Sequence, residues 1–150
     1  VDSLRGYAYQ ITSAALAWLD LDERSRLFLE VAEDYALVAG NAIKAVQVKD
    51  TFGSGSITLN TESVRDAIAT FVTLVGLHPG VDVHLRYFTT SEVGLEKAVV
   101  DRPSGVAGLK YWRDAAATAD VGPLRSILTS EKFPPAVRGF VTARDNATLR

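Results

Sequence analysis

Residues Asp34–Lys49 read DYALVAGNAIKAVQVK, two runs of strand-forming residues on either side of Gly40-Asn41. A Gly-Asn step between apolar runs is a tight-hairpin signal, so one strand runs from about Asp34 through Val38 and the next from Ile43 to Lys49. Side chains alternate along a strand. Ile43, Ala45, Gln47 and Lys49 therefore share one face, and Lys44, Val46 and Val48 share the other. Asp34 and Gln47 are 13 residues apart, enough for a strand, a turn and a return. An acid on one strand thus comes beside an amide and an ammonium on its neighbour. Burying such groups on a sheet is costly unless partners compensate.

Upstream, Arg26 to Val31 is dense in β-formers and reads as the first strand. Before it, Ser3 to Leu21 reads as a helix. Its apolar stripe is Leu4, Tyr7, Ala8, Ile11, Ala15, Trp18 and Leu19, and Tyr7, Tyr9 and Trp18 read as core. Downstream, Phe52-Gly53-Ser54-Gly55-Ser56 reads as a loop. A helix capped by Asn60 or Thr61 ends before His78-Pro79-Gly80, and Val81 to Phe88 alternates as a fourth strand. Three helices follow, near 106–119, 123–130 and 135–144. The order α-β-β-β-α-β plus helices predicts an α/β fold: a mixed sheet flanked by helices, the third strand central, with a helical C-terminal part.

The chain has 150 residues, 47% of them hydrophobic and 23% charged, which suits one ordinary globular domain. The 16 basic and 18 acidic side chains leave a formal charge of −2, so no global basic field marks a nucleic-acid binder. The balance drifts from −4 over residues 1–40 to +3 over residues 101–150. Absence of cysteine excludes disulfide frameworks, thiolate zinc sites and cysteine nucleophiles, and fits a cytoplasmic protein. No apolar run is long enough to cross a bilayer. With no methionine, even at position 1, the chain reads as a processed or excised piece of a longer polypeptide.

Asp34, Gln47 and Lys49 are the residues that carry chemistry. An acid, an amide oxygen and a main-chain carbonyl (that of Val48) are ligands for a hard cation such as Mg²⁺ or Mn²⁺. A cation so held activates water for phosphodiester hydrolysis, and a nearby lysine offsets developing charge.

Gly6-Tyr7-Ala8-Tyr9-Gln10, Leu29-Glu30 through Glu33-Asp34, Val46-Gln47-Val48-Lys49 and Phe88-Thr89-Thr90-Ser91 occur in order with fitting spacing. On these pieces the chain resembles the PD-(D/E)XK nuclease superfamily in its Gln-x-Lys, Mrr-like form. More narrowly, it resembles the double-stranded DNA endonuclease effector domain of bacterial antiphage systems, the cyclic-oligonucleotide-activated (CBASS) and STAND-type NTPase defence proteins. The resemblance covers about residues 4–97, with residues 104–150 as a helical extension of one nuclease domain. It implies a restriction-endonuclease-like αβββαβ core and Mg²⁺-dependent (or Mn²⁺-dependent) cleavage of double-stranded DNA. Asp34 would bind metal, Gln47 would stand at the second-acid position with the Val48 carbonyl beside it, and Lys49 would be the motif lysine. Gln10 would reach the metal shell through water. The implied partners are double-stranded DNA, further copies of the chain when active, and a sensor or NTPase domain C-terminal in the same chain. A membrane is not implied. Low activity in isolation and activation by oligomerisation are expected. Two departures stand out: Glu33 where many relatives have proline, and Gln47 where many have glutamate, which weakens metal affinity.

Each residue also has a plainer reading. Asp34 alone is a turn residue, and Gln47 with Lys49 is an edge-strand pair. Glu30 is either a structural acid or a secondary ligand, and Gln10 either a helix-surface amide or a site residue. His78 and His84 lack ligand-spaced partners. Arg102, Lys110, Arg113, Arg125, Lys132, Arg138 and Arg144 are either phosphate contacts or a solvated surface. Two rivals to the nuclease follow: an inactive nucleic-acid-binding relative, and a structural α/β interaction domain.

Overall fold

A computed structural model describes residues 2–30, 34–50, 55–118 and 120–146. The chain is α/β. Its elements are α1 (Asp2–Leu19), β1 (Ser25–Leu29), β2 (Tyr35–Ala39), β3 (Ala42–Lys49), α2 (Glu62–Leu77), β4 (Asp82–Thr89), α3 (Gly108–Thr118), α4 (Gly122–Leu128) and α5 (Pro135–Thr142). Two 3₁₀ turns, Val99–Asp101 and Pro103–Gly105, precede α3; the sequence pattern did not call for them.

One compact unit comprises residues 1–55 and 73–91. Its sheet runs β1-β2-β3-β4, with β1, β2 and β3 antiparallel in turn and β4 parallel to β3. The third strand is central, as expected, which removes the edge-pair reading of Gln47 and Lys49. Ala39 pairs with Ala42 across the turn. Gly40 has φ 55° there while Asn41 stays out of the left-handed region, the arrangement of a II′ hairpin that favours glycine first. The Asn41 side chain donates to the Gly80 carbonyl at 2.8 Å, tying the hairpin to the start of β4.

Ala14, Tyr35, Val46 and Val48 are the buried centre of this unit, with Tyr9, Ala17, Leu27, Leu37 and Phe88 against them. Helix α1 therefore lies on the Val46/Val48 face of the sheet. Tyr9 stacks on Phe88 at 5.7 Å, and Ser13 Oγ meets the Tyr35 hydroxyl at 3.1 Å.

This corrects the expected buried stripe. Leu4, Tyr7, Ile11 and Trp18 are 74%, 54%, 44% and 65% exposed. Ala8, Ala15 and Leu19 are exposed as well. Helix α1 meets the sheet instead through Ala14, Ala17 and its half-buried Tyr9, Gln10 and Ser13. Small side chains allow close approach of helix to sheet, so the less hydrophobic side of the helix is the one that packs. Tyr7 and Trp18 are not core; Tyr9 is.

The second unit comprises residues 56–72 and 92–150, so residues 56–72 and 92–97 group with the C-terminal helices. Leu59, Phe133 and Val137 are its largest fully buried apolar side chains. Glu96, 1% exposed, accepts hydrogen bonds from Leu59 N (3.1 Å) and Gly108 N (3.0 Å). A Cβ at Gly108 would stand 2.7 Å from the Glu96 carboxylate and 3.0 Å from Leu59, which is why glycine opens α3.

Candidate active site at the end of the sheet

The β2–β3 ladder ends at Tyr35 opposite Val46, so Asp34 stands next, across from Gln47. Instead of continuing the ladder with its backbone, Asp34 turns its carboxylate onto the edge of β3. Oδ2 accepts the Val48 N–H at 2.5 Å, and Oδ1 accepts Gln10 Nε2 from α1 at 2.6 Å. Gln10 thus engages the acid directly, not as a bare surface amide. In a strand, a residue's N–H and C=O point to the same side. The Val48 carbonyl therefore also faces the edge where Asp34 sits.

Gln47 and Lys49 project from the opposite face of β3 from Val48. Gln47 is half-buried, and its Oε1 is enclosed without a hydrogen-bond partner. Lys49 is half-buried, and no ion pair with it occurs among the described residues. Neither side chain bonds to Asp34. Glu30 has φ 53°, donates its backbone N–H to the Asp34 carbonyl at 3.1 Å, and leaves its side chain exposed. Residues 31–33, including Glu33, lie outside the described residues, as do Phe52, Gly53 and Ser54 of the expected loop. An open depression of about 230 Å³ borders Asp34, lined by Tyr7, Gln10, Ile11, Ala14, Leu29 and Glu30.

The structure adds a residue that the sequence reading passed over. Asp50, just past Lys49, falls on the Val46/Val48 face and so reaches α1. It pairs with Arg5 at 2.6 Å and accepts from Thr90 Oγ1 at 3.0 Å. The strand alternation that assigned Gln47 and Lys49 to one face would have assigned Asp50 to the other.

No family model, no curated protein and no solved structure matches this chain.

The donor set fits a hard cation in its chemistry. Asp34, Gln47 Oε1 and the Val48 carbonyl are all oxygen ligands, and the enclosed Gln47 oxygen lacks a donor. Among the described residues no group of three or more His, Cys, Asp or Glu converges, so a cation here would lean on amide and main-chain oxygens. His84 is exposed and, among the described residues, pairs with Asp82 at 3.0 Å.

The basic residues of the helical part are largely engaged internally. Arg125 bonds the carbonyls of Arg144 and Thr142, Arg102 those of Glu96 and Lys97. Lys110 pairs with Asp114, and Lys132 with Asp101. Arg144 lies over the Phe140 ring at 3.5 Å. These contacts favour the surface reading over phosphate contacts. No helix among the described residues is long and apolar enough to cross a membrane.

Proposed function

We propose that this chain is a metal-dependent endonuclease acting on double-stranded DNA, with Asp34, Gln47 and Lys49 at its centre. The observation that carries the reading is the Asp34 carboxylate, held by Gln10 and the Val48 N–H at the end of a central strand whose next polar group, Gln47 Oε1, is buried without a partner. A divalent cation held by Asp34, Gln47 and the Val48 carbonyl would supply an acidified water and charge neutralisation at a phosphate. The protein's own part is orientation. Gln10 and Val48 N–H hold both carboxylate oxygens in place, and Lys49 offers an ammonium that forms no ion pair among the described residues. Duplex cleavage in Mg²⁺ or Mn²⁺, abolished by chelation, tests the reading; metal-independent cleavage, or none over a wide range of protein concentration, contradicts it.

A second reading rests on the same contacts. Asp34 caps the ladder where the β2 backbone leaves it, and a structural acid would do the same. Calorimetric titration with Mn²⁺ separates the two, since only the metal-binding site saturates at one ion and loses binding in Asp34→Ala.

A further inference from the structure

The exposed side of α1 carries a pattern that a solitary surface helix does not need. Leu4, Ala8, Ile11, Ala15 and Trp18 are spaced by alternate steps of four and three, the a/d spacing of a heptad seam. All five are exposed. From Gly6 to Leu19 the chain has no charged residue. Within the seam, bulky side chains (Leu4, Ile11, Trp18) alternate with alanines (Ala8, Ala15).

We infer that α1 pairs antiparallel with α1 of a second copy of this chain. In an antiparallel pair each core layer joins a d position of one helix to an a position of the other. The alternation of large and small is then self-complementary: Trp18 of one copy lies over Ala8 of the other, and Ile11 over Ala15, twice each about a two-fold axis. A parallel pair would stack tryptophan on tryptophan and alanine on alanine, leaving clashes and gaps in turn. Antiparallel pairing also sets the helix dipoles head to tail. The exposed surface of the seam with flanking Tyr7 and Leu19 is on the order of 600 Å² per copy, close to the ~800 Å² per partner of a standard stable interface. Tyr7 and Ile11 also line the depression beside Asp34, so the seam borders both candidate sites of the pair. The inference does not depend on those sites being catalytic.

Sedimentation equilibrium on the whole chain tests it. The wild type should be dimeric at micromolar concentration, and Ile11→Glu should weaken association at least ~100-fold. Leu16→Glu serves as the control: Leu16 is 60% exposed on the same helix but off the seam, so this variant should stay dimeric. Because the chain has no cysteine, single spin labels can then read the orientation. Labels at Asp20 should lie ~13 Å farther apart across the dimer than labels at Thr12, given a rise of ~1.5 Å per residue and helix axes ~9 Å apart. A monomeric wild type, equal association by Ile11→Glu and wild type, or equal label separations at the two positions would each overturn the proposal.

Discussion

Two carboxylate centres in this chain, one enclosed and one at an open rim, are held in different ways. In the second unit, Glu96 is enclosed and spends its carboxylate on backbone N–H groups of Leu59 and Gly108. Asp101 is likewise matched to Asn60 and Lys132, although Asn60 Oδ1, like Gln47 Oε1, is enclosed without a partner. At the end of the sheet, Asp34 borders an open depression, Gln47 Oε1 is enclosed without a donor, and Lys49 has no acid to pair with among the described residues. A carboxylate closed over main-chain donors fixes the path of the chain. A carboxylate at an open rim, with an unmet amide oxygen on the neighbouring strand, leaves bonding capacity for a ligand.

The largest expected effect on stability lies at the first centre. Glu96→Ala strands the N–H groups of Leu59 and Gly108 and opens a cavity, and should cost about 3–5 kcal/mol. Urea denaturation reads this. A cost under ~1 kcal/mol would mean that Glu96 is not the staple that the geometry describes. Metal binding at Asp34 should survive in the fraction that stays folded.

Asp34→Ala comes next. It should abolish Mn²⁺ binding in calorimetry and also cost ~1–3 kcal/mol, because Val48 N–H and Gln10 lose their acceptor. The stability cost follows from the two hydrogen bonds to the Asp34 carboxylate, which sequence spacing does not reveal. Loss of stability with Mn²⁺ binding intact would leave Asp34 in the same class as Glu96.

Gln47 sharpens the contrast. Gln47→Leu removes an unsatisfied buried oxygen and should leave the melting temperature unchanged or raise it slightly, while Mn²⁺ affinity falls. Gln47→Glu restores a second carboxylate and should tighten Mn²⁺ by about tenfold, since ligand charge tunes hard-cation affinity. If Gln47→Leu proved strongly destabilising, its amide would be structural.

The smallest effect is at the α1–β1 turn. Hydrogen bonds from the Ser25 side chain and then the Arg24 N–H (3.0 Å) hold the exposed Asp22 carboxyl below its usual range. A depressed carboxyl stabilises the fold above its unfolded-state pKa, and the contribution fades as pH falls through the folded value. Asp22→Asn should therefore melt slightly lower than wild type at neutral pH and level with it below the carboxylate range. A difference that persisted in acid would point to another cause.

The hairpin was legible because Gly40-Asn41 punctuates two alternating runs, and alternation alone separated Gln47 and Lys49 from Val46 and Val48. The order of elements and the central position of β3 followed from the same patterning. The packing face of α1 was not legible. From Gly6 to Leu19 no side of it carries a charge, so periodicity identified a helix without saying which side meets the sheet; the small side chains decided it. The contacts of Asp34 were hidden for a different reason. Gln10 lies 24 residues away, and its bond to the acid depends on how α1 crosses the sheet. The 3₁₀ turns before α3 carry Val99, Val100 and Pro103, residues that signal neither helix nor strand by spacing.

The central claim is that Lys49 acts on phosphodiester cleavage at the Asp34 site, and cleavage of supercoiled plasmid in Mn²⁺ tests it most directly. Wild type and Lys49→Ala are compared at the same protein concentrations, with duplex retention and Mn²⁺ binding measured alongside. An ammonium that acts mainly in the transition state lowers the rate when removed and leaves ground-state binding nearly unchanged. The account predicts a loss of ~10²–10³-fold in rate or more, with retention, metal binding and melting temperature close to wild type. Cleavage by Lys49→Ala at the wild-type rate would contradict it.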